Sequence, residues 1–246
     1  MRFFIELSYK GTNYHGWQEQ PNTKTVQHEI NKALSVICND KIKVMGAGRT
    51  DTGVHAKQMF AHFDCDIHCD NQDIIFKLNS LLPSDIVICD IFKVKEDANS
   101  RFDALSRTYQ YHIIQKKDPF NNNAYLLQRN LDIKAMNDSC EYITGKQDYT
   151  SFSKVNTQTF TNNCNIMFSR WNLVNNELIF TITADRFLRN MVRAIVGTLI
   201  DVGLGNLRTD DVVKIIAAKD RSKSGYSVPA HALFLVDIKY PNKIRI

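Results

Sequence analysis

The sequence predicts an α+β fold. Two observations carry that prediction: the strands come in hairpin-like groups mixed with helices, and regular strand–helix–strand alternation, the mark of a wholly parallel sheet, is absent. A third sets the scale: 246 residues without a low-complexity linker read as two α+β halves, 1–105 and 106–246, sharing one sheet and one core.

The elements follow in order. Phe3, Ile5, Leu7 and Tyr9 alternate with Arg2, Glu6 and Ser8, giving a first strand with one apolar face; Phe4 breaks its polar side. Thr25 is a helix cap, and Val26, Ile30, Ala33, Leu34 and Ile37 recur behind it at helical spacing. A short strand over 41–46 and another over 59–63 flank a glycine-rich stretch. Asp70 is expected to cap a second helix with Ile74, Ile75, Leu78 and Leu81 on one face, ended by Pro83. Strands are predicted over 86–94 and 107–115, then a helix over 133–144. Two further strands, 166–174 and 177–184, meet at Asn175-Asn176, a favourable hairpin turn. The apolar run FLRNMVRAIVGTLIDVG (187–203) is the strongest helix signal, with Arg186, Arg189 and Arg193 along one edge. A short helix over 209–218 and a strand over 234–240 close the chain.

Composition narrows the function classes. Hydrophobic residues make up 43% and charged residues 23%, the balance of a folded globular protein. The formal net charge of +5 permits a polyanionic partner without requiring one. No apolar stretch approaches the ~20 residues of a membrane span, and Glu6 and Lys10 interrupt the apolar start, so a cytoplasmic protein is expected. The six cysteines are scattered and read as reduced core thiols. HFDCDIHCD (62–70) holds residue types that zinc favours, but its spacing matches no finger or ribbon, and no metal is expected there.

The stretch GAGRTDTGVHA (46–56) contains Asp51-Thr52-Gly53, the triplet of aspartic proteases. Such a protease needs two carboxylates sharing a proton, and the chain has one triplet; Arg49, two residues before Asp51, favours ionisation instead. A plain glycine turn is the simpler reading. Three other segments weigh against it. SRFDALSRTYQY (100–111) places Arg101 and Arg107 with Tyr109 and Tyr111, cations and rings of the kind that hold unstacked bases. DRFLRNMVRAIVG (185–197) sets Arg193 among Val192, Ala194, Ile195 and Val196, where its guanidinium calls for an anion. YHGWQEQPN (14–22), with Tyr14, Trp17, Gln18 and Gln20, has the composition of a contact surface.

Together with LNSLLP (78–83), AAKDRS (217–222) and VPAHALFLV (228–236), these segments resemble the bacterial TruA family of tRNA pseudouridine synthases, in the family's order. The resemblance implies two related α+β halves around a mainly antiparallel sheet, with the active site in a cleft between them. It implies a homodimer that isomerises uridine in the anticodon arm of tRNA, positions 38 to 40, with neither metal nor organic cofactor. Carried over residue by residue, it makes Asp51 the nucleophile, Arg49 the arginine of the same motif and Tyr109 the active-site tyrosine. Arg193 becomes the partner of the carboxylate, Leu233 lines the base pocket, and Arg101 lies near the flipped nucleotide. Trp17 and Gln18 are candidate RNA contacts. Two local departures, Gln58-Met59 and His231-Ala232, fall where the family usually carries glycine and put RNA contacts there in question. A catalytically silent RNA-binding protein on the same fold, or a synthase with another uridine target, are the alternatives.

Overall fold

The computed structural model describes residues 1–66, 71–155 and 159–246. In chain order its elements are β1 (Arg2–Tyr9), α1 (Val26–Cys38), β2 (Met45–Gly46), β3 (His55–Asp64), α2 (Asn71–Leu81), β4 (Ile86–Val94), β5 (Ser106–Ile114) and β6 (Tyr125–Leu126). Then come α3 (Ile133–Ile143), β7 (Gly145–Asp148), β8 (Asn163–Val174), β9 (Glu177–Ala184), α4 (Met191–Gly203), α5 (Asp211–Ala218) and β10 (Leu233–Lys239). The expected cap of the second helix, Asp70, lies outside the described residues, as do His68 and Cys69 of the cysteine–histidine stretch.

The chain divides into two compact units, one of Met1–Ser106 with Phe234–Ile246, the other of Arg107–Leu233. The sequence reading gave everything beyond residue 105 to the second half. The closing segment instead packs with the first unit, because Phe234 and Leu235 pair in parallel with His55 and Ala56 of β3. Parallel pairing across such a distance in sequence leaves no local turn signal.

In the first unit β1 is central, antiparallel to β3 on one side and to β4 on the other. That placement explains Phe4. A lone strand face would leave it in water, but its ring is fully buried, 5.8 Å from Phe92 and 5.4 Å from Tyr240. Thr25 caps α1 as expected, its hydroxyl accepting the His28 N–H at 3.4 Å, and Val26, Ile30 and Leu34 are buried.

The second unit is an antiparallel series β5–β9–β8–β7, with β6 parallel along the end of β5. Asn175 and Asn176 have φ of 49° and 66°, the two positive values a tight hairpin turn needs. Helix α3 packs on β8, α4 and α5. Helix α4 starts later than its apolar pattern suggests. Asn190, in the left-handed region at φ 68°, precedes its first turn, and Met191 N–H donates back to the Leu188 carbonyl at 3.1 Å. Arg186 and Arg189 therefore lie before the helix, and the expected edge of three arginines reduces to Arg193. Within α4 every residue except Arg193 and Asp201 is buried.

Candidate functional site

In the first unit the Asp51 loop is clamped from beneath. The Thr50 carbonyl accepts the Trp17 N–H at 3.2 Å, the Thr50 hydroxyl lies 2.8 Å from that of Tyr9, and Gly53 N–H donates to the Tyr14 carbonyl at 3.3 Å. A Cβ on Gly16 would stand 2.5 Å from the Thr50 carbonyl oxygen, and φ at Gly16 is +87°, so only glycine admits this approach. With both flanks fixed, Asp51 is held half-buried and Arg49 exposed. Just beyond, His55 is buried, accepts the Gly11 N–H at its Nδ1 (3.0 Å) and stacks on Phe234 at 4.7 Å.

That clamp corrects the expectation for Trp17. Its side chain is 1% exposed, and its ring packs against Tyr9 at 6.1 Å. Tyr14 is buried too; its hydroxyl donates to Asp85, and burial together with that bond pushes its pKa up, so it stays protonated. Half-buried Gln18 donates from its side chain to Gln27 Oε1 at 2.8 Å, and Gln27 in turn donates to the Val44 carbonyl at 2.7 Å. Tyr14 and Trp17 are thus a foundation under the loop, while His15 is exposed and Gln18 half-buried beside them. An indole is large and apolar with one polar edge, so its sequence context does not separate a foundation from an RNA contact.

Arg101 is exposed on a loop tied to β2 and β3, the strands on either side of the Asp51 loop. Ser100, fully buried, donates from its hydroxyl to the Met45 carbonyl at 2.7 Å, and its N–H donates to His62 Nδ1 at 3.2 Å. Met45 immediately precedes Gly46, where the Asp51 loop begins. Burial lowers the His62 pKa, which suits a neutral ring accepting at Nδ1. His62 thus helps to fix the Arg101 loop through its Nδ1.

The second unit carries Tyr109, Arg193 and the segment before Leu233. Tyr109 and Tyr111 share one face of β5, yet they differ. Tyr111 is fully buried and donates to the Pro229 carbonyl at 3.0 Å, with burial raising its pKa. Tyr109 is half-buried and meets the edge of Phe187 at 5.2 Å. Arg193, half-buried, donates from Nε to the Val228 carbonyl at 2.6 Å, and Val228 N–H returns to the Arg193 carbonyl at 3.3 Å. The segment that supplies Val228 is itself tightly held. Arg221 donates to the Ser224 hydroxyl (2.8 Å), the Gly225 carbonyl (3.1 Å) and the Ser227 hydroxyl (2.9 Å), and Asn190 reaches Ser227 at 2.6 Å. Leu233, at the end of this stretch, is 5% exposed. Sequence reasoning missed Arg221; its signal was a cation in a loop rich in serine and glycine, whose carbonyls need donors.

A sequence model described as tRNA pseudouridine synthase matches residues 7–103 and 140–241. A protein named tRNA pseudouridine synthase A from Parabacteroides distasonis is 51% identical, covering 99% of this chain and 97% of its own. Its counterpart in Porphyromonas gingivalis is 49% identical, covering 99% and 98%, and that of Caldicellulosiruptor bescii 38%, covering 96% and 98%. The chain belongs to the tRNA pseudouridine synthase family, in its bacterial TruA branch. Its α+β architecture and mainly antiparallel pairing are those of a pseudouridine synthase. Within this TruA-type synthase the two departures have structural roles. Gln58 donates to Glu6 at 2.8 Å and accepts the Ile238 N–H at 2.9 Å, tying β1 and β10 across β3, while Met59 and Ala232 are fully buried. Among the described residues no helix is long and apolar enough to cross a membrane.

Proposed function

We propose that this chain isomerises uridine to pseudouridine in tRNA, at positions 38 to 40 of the anticodon arm, with Asp51 as nucleophile. The observation that carries the reading is near-full-length similarity to proteins named tRNA pseudouridine synthase A, together with a clamped loop that holds one carboxylate half-buried. The reaction breaks the bond from uracil N1 to the ribose, turns the base and joins the ribose to C5; C5 gives up a proton and N1 takes one. An ionised carboxylate serves either as attacker of the ribose carbon or of the pyrimidine ring. Arg193 is its cation, Tyr109 offers a ring face to the base and a phenol for proton transfer, and Leu233 lines the base pocket. Arg49 and Arg101 help offset the cost of a few kcal/mol for taking the base out of its stack. The enzyme acts as a cytoplasmic homodimer without metal or organic cofactor.

The test is Asp51→Asn, which preserves shape and removes the nucleophile. Product formation is expected to vanish while tRNA affinity stays within about threefold, a change well under 1 kcal/mol. Substantial pseudouridine formation by the purified variant would remove Asp51 from this role. Mapping pseudouridine in total tRNA from cells lacking the protein assigns the positions. A wild-type protein that binds tRNA and makes no product would favour a silent RNA-binding protein.

A further inference from the structure

The loop that carries Arg101 also presents an aromatic ring to which the proposed reaction assigns no task. Phe102 is 74% exposed, although its backbone is held from several sides. Asn99 Oδ1 accepts the N–H groups of both Arg101 (3.0 Å) and Phe102 (3.2 Å), and Asp103 Oδ2 accepts the Asn99 N–H at 2.7 Å. Before the ring, buried Ser100 is fixed to Met45 and His62, and its carbonyl accepts the Tyr240 hydroxyl. After it, Leu105 N–H donates to the Lys239 carbonyl at 2.7 Å. A loop so held cannot fold back to bury the ring, so its exposure is built into the backbone. The ring also carries a cation, with the Arg101 guanidinium carbon 5.4 Å from its centroid. Cations lie over the rings of Tyr14, Phe92 and Phe234 as well, but of these four rings Phe102 alone is mostly exposed.

We infer that Phe102 is a stacking residue that receives an unstacked base of the RNA substrate, with Arg101 set to meet the phosphate beside that base. A free aromatic face backed by a guanidinium is the chemistry that single-stranded bases recognise, and it tolerates any base because each has a π-face. The loop hangs on Met45, the residue before the Asp51 loop, so the stacked base belongs to the stretch that the catalytic loop addresses. This inference rests on the tRNA reading proposed above.

The test uses Phe102→Trp and Phe102→Leu with a tRNA transcript lacking modifications. Trp17 and Trp171 are each 1% exposed, so a tryptophan at 102 reports on its own surroundings against a constant background. Adding tRNA is expected to quench the emission of Phe102→Trp. Phe102→Leu keeps an apolar side chain without a π-face and is expected to bind tRNA about 5- to 100-fold more weakly. Unchanged emission from Phe102→Trp while filter binding shows the complex, or wild-type affinity in Phe102→Leu, would overturn the inference. So would emission that changes with protein concentration in the absence of RNA, which would place the ring between copies of the chain. A wild-type protein that binds no tRNA removes the functional reading and this inference with it; a wild type that binds tRNA beside an indifferent Phe102→Leu removes the inference alone.

Discussion

Arg193 is the side chain for which a solvated helix charge and a catalytic cation predict the most different behaviour. Removing it by Arg193→Met costs the bond to the Val228 carbonyl, about 1–3 kcal/mol of stability, under either role. A fall in melting temperature therefore decides nothing. The reaction rate does. If Arg193 supplies a cation to the reaction, the methionine variant loses rate well beyond what its lower stability explains. Arg193→Lys, which keeps the charge but not the planar fork, should retain more activity than methionine. The measurement is single-turnover rate for all three proteins at a temperature where each is folded; a methionine variant with wild-type rate would sink the catalytic role. At this scale the sequence showed the essential anomaly, a cation between Val192 and Ala194 in an apolar run. It could not show the Val228 carbonyl, since a contact 35 residues away leaves no local pattern. Trp17 shows the converse: its residue type suited a surface, and only its place under the Thr50 carbonyl revealed a foundation.

Among the elements, α4 and the segment behind it form a close join in the second unit. A Cβ on Gly197 would lie 1.9 Å from the Tyr226 carbonyl oxygen, so helix and segment meet backbone to backbone. Gly197→Ala must push that segment away, at an expected cost of about 1–3 kcal/mol, the usual range for overpacking. For a chain of this size that is a fall of about 2–12 °C in melting temperature. Val228 lies two residues beyond Tyr226, so the displacement reaches the carbonyl that aims Arg193. Single-turnover rate should drop while tRNA affinity is retained; unchanged rate in a destabilised variant would separate the join from the site. Element types were largely legible, because periodicity reports which faces are buried: β4, β9 and the Asn175-Asn176 hairpin stand where the alternation put them. Boundaries failed where a turn residue overruled the pattern. Asn190 in a left-handed conformation starts α4 late, and β3 begins at His55, since the residues just after the Asp51 loop already pair with β10.

For the whole molecule, the α+β class followed from strands grouped in hairpins among helices, whereas the return of Phe234–Ile246 to the first unit did not, because parallel pairing with β3 carries no turn signature. Charge is the whole-molecule property that bears on RNA. The net +5 is small against a tRNA's many phosphates, so binding is expected to come from cations gathered locally and not from a uniform field; Arg49 and Arg101 are the ones proposed for it. Neutralising about four phosphates releases their counterions, and raising salt from about 50 to 200 mM should then weaken binding by about two orders of magnitude. Arg101→Ala should weaken binding across tRNA sequences and lower the slope of log affinity against log salt by about one, the signature of one lost phosphate contact. Titrations of wild type and Arg101→Ala at four or five salt concentrations read both quantities. A variant whose slope and affinity match wild type would take Arg101 off the RNA. A wild-type affinity indifferent to salt would mean that stacking, and not phosphate neutralisation, holds the substrate.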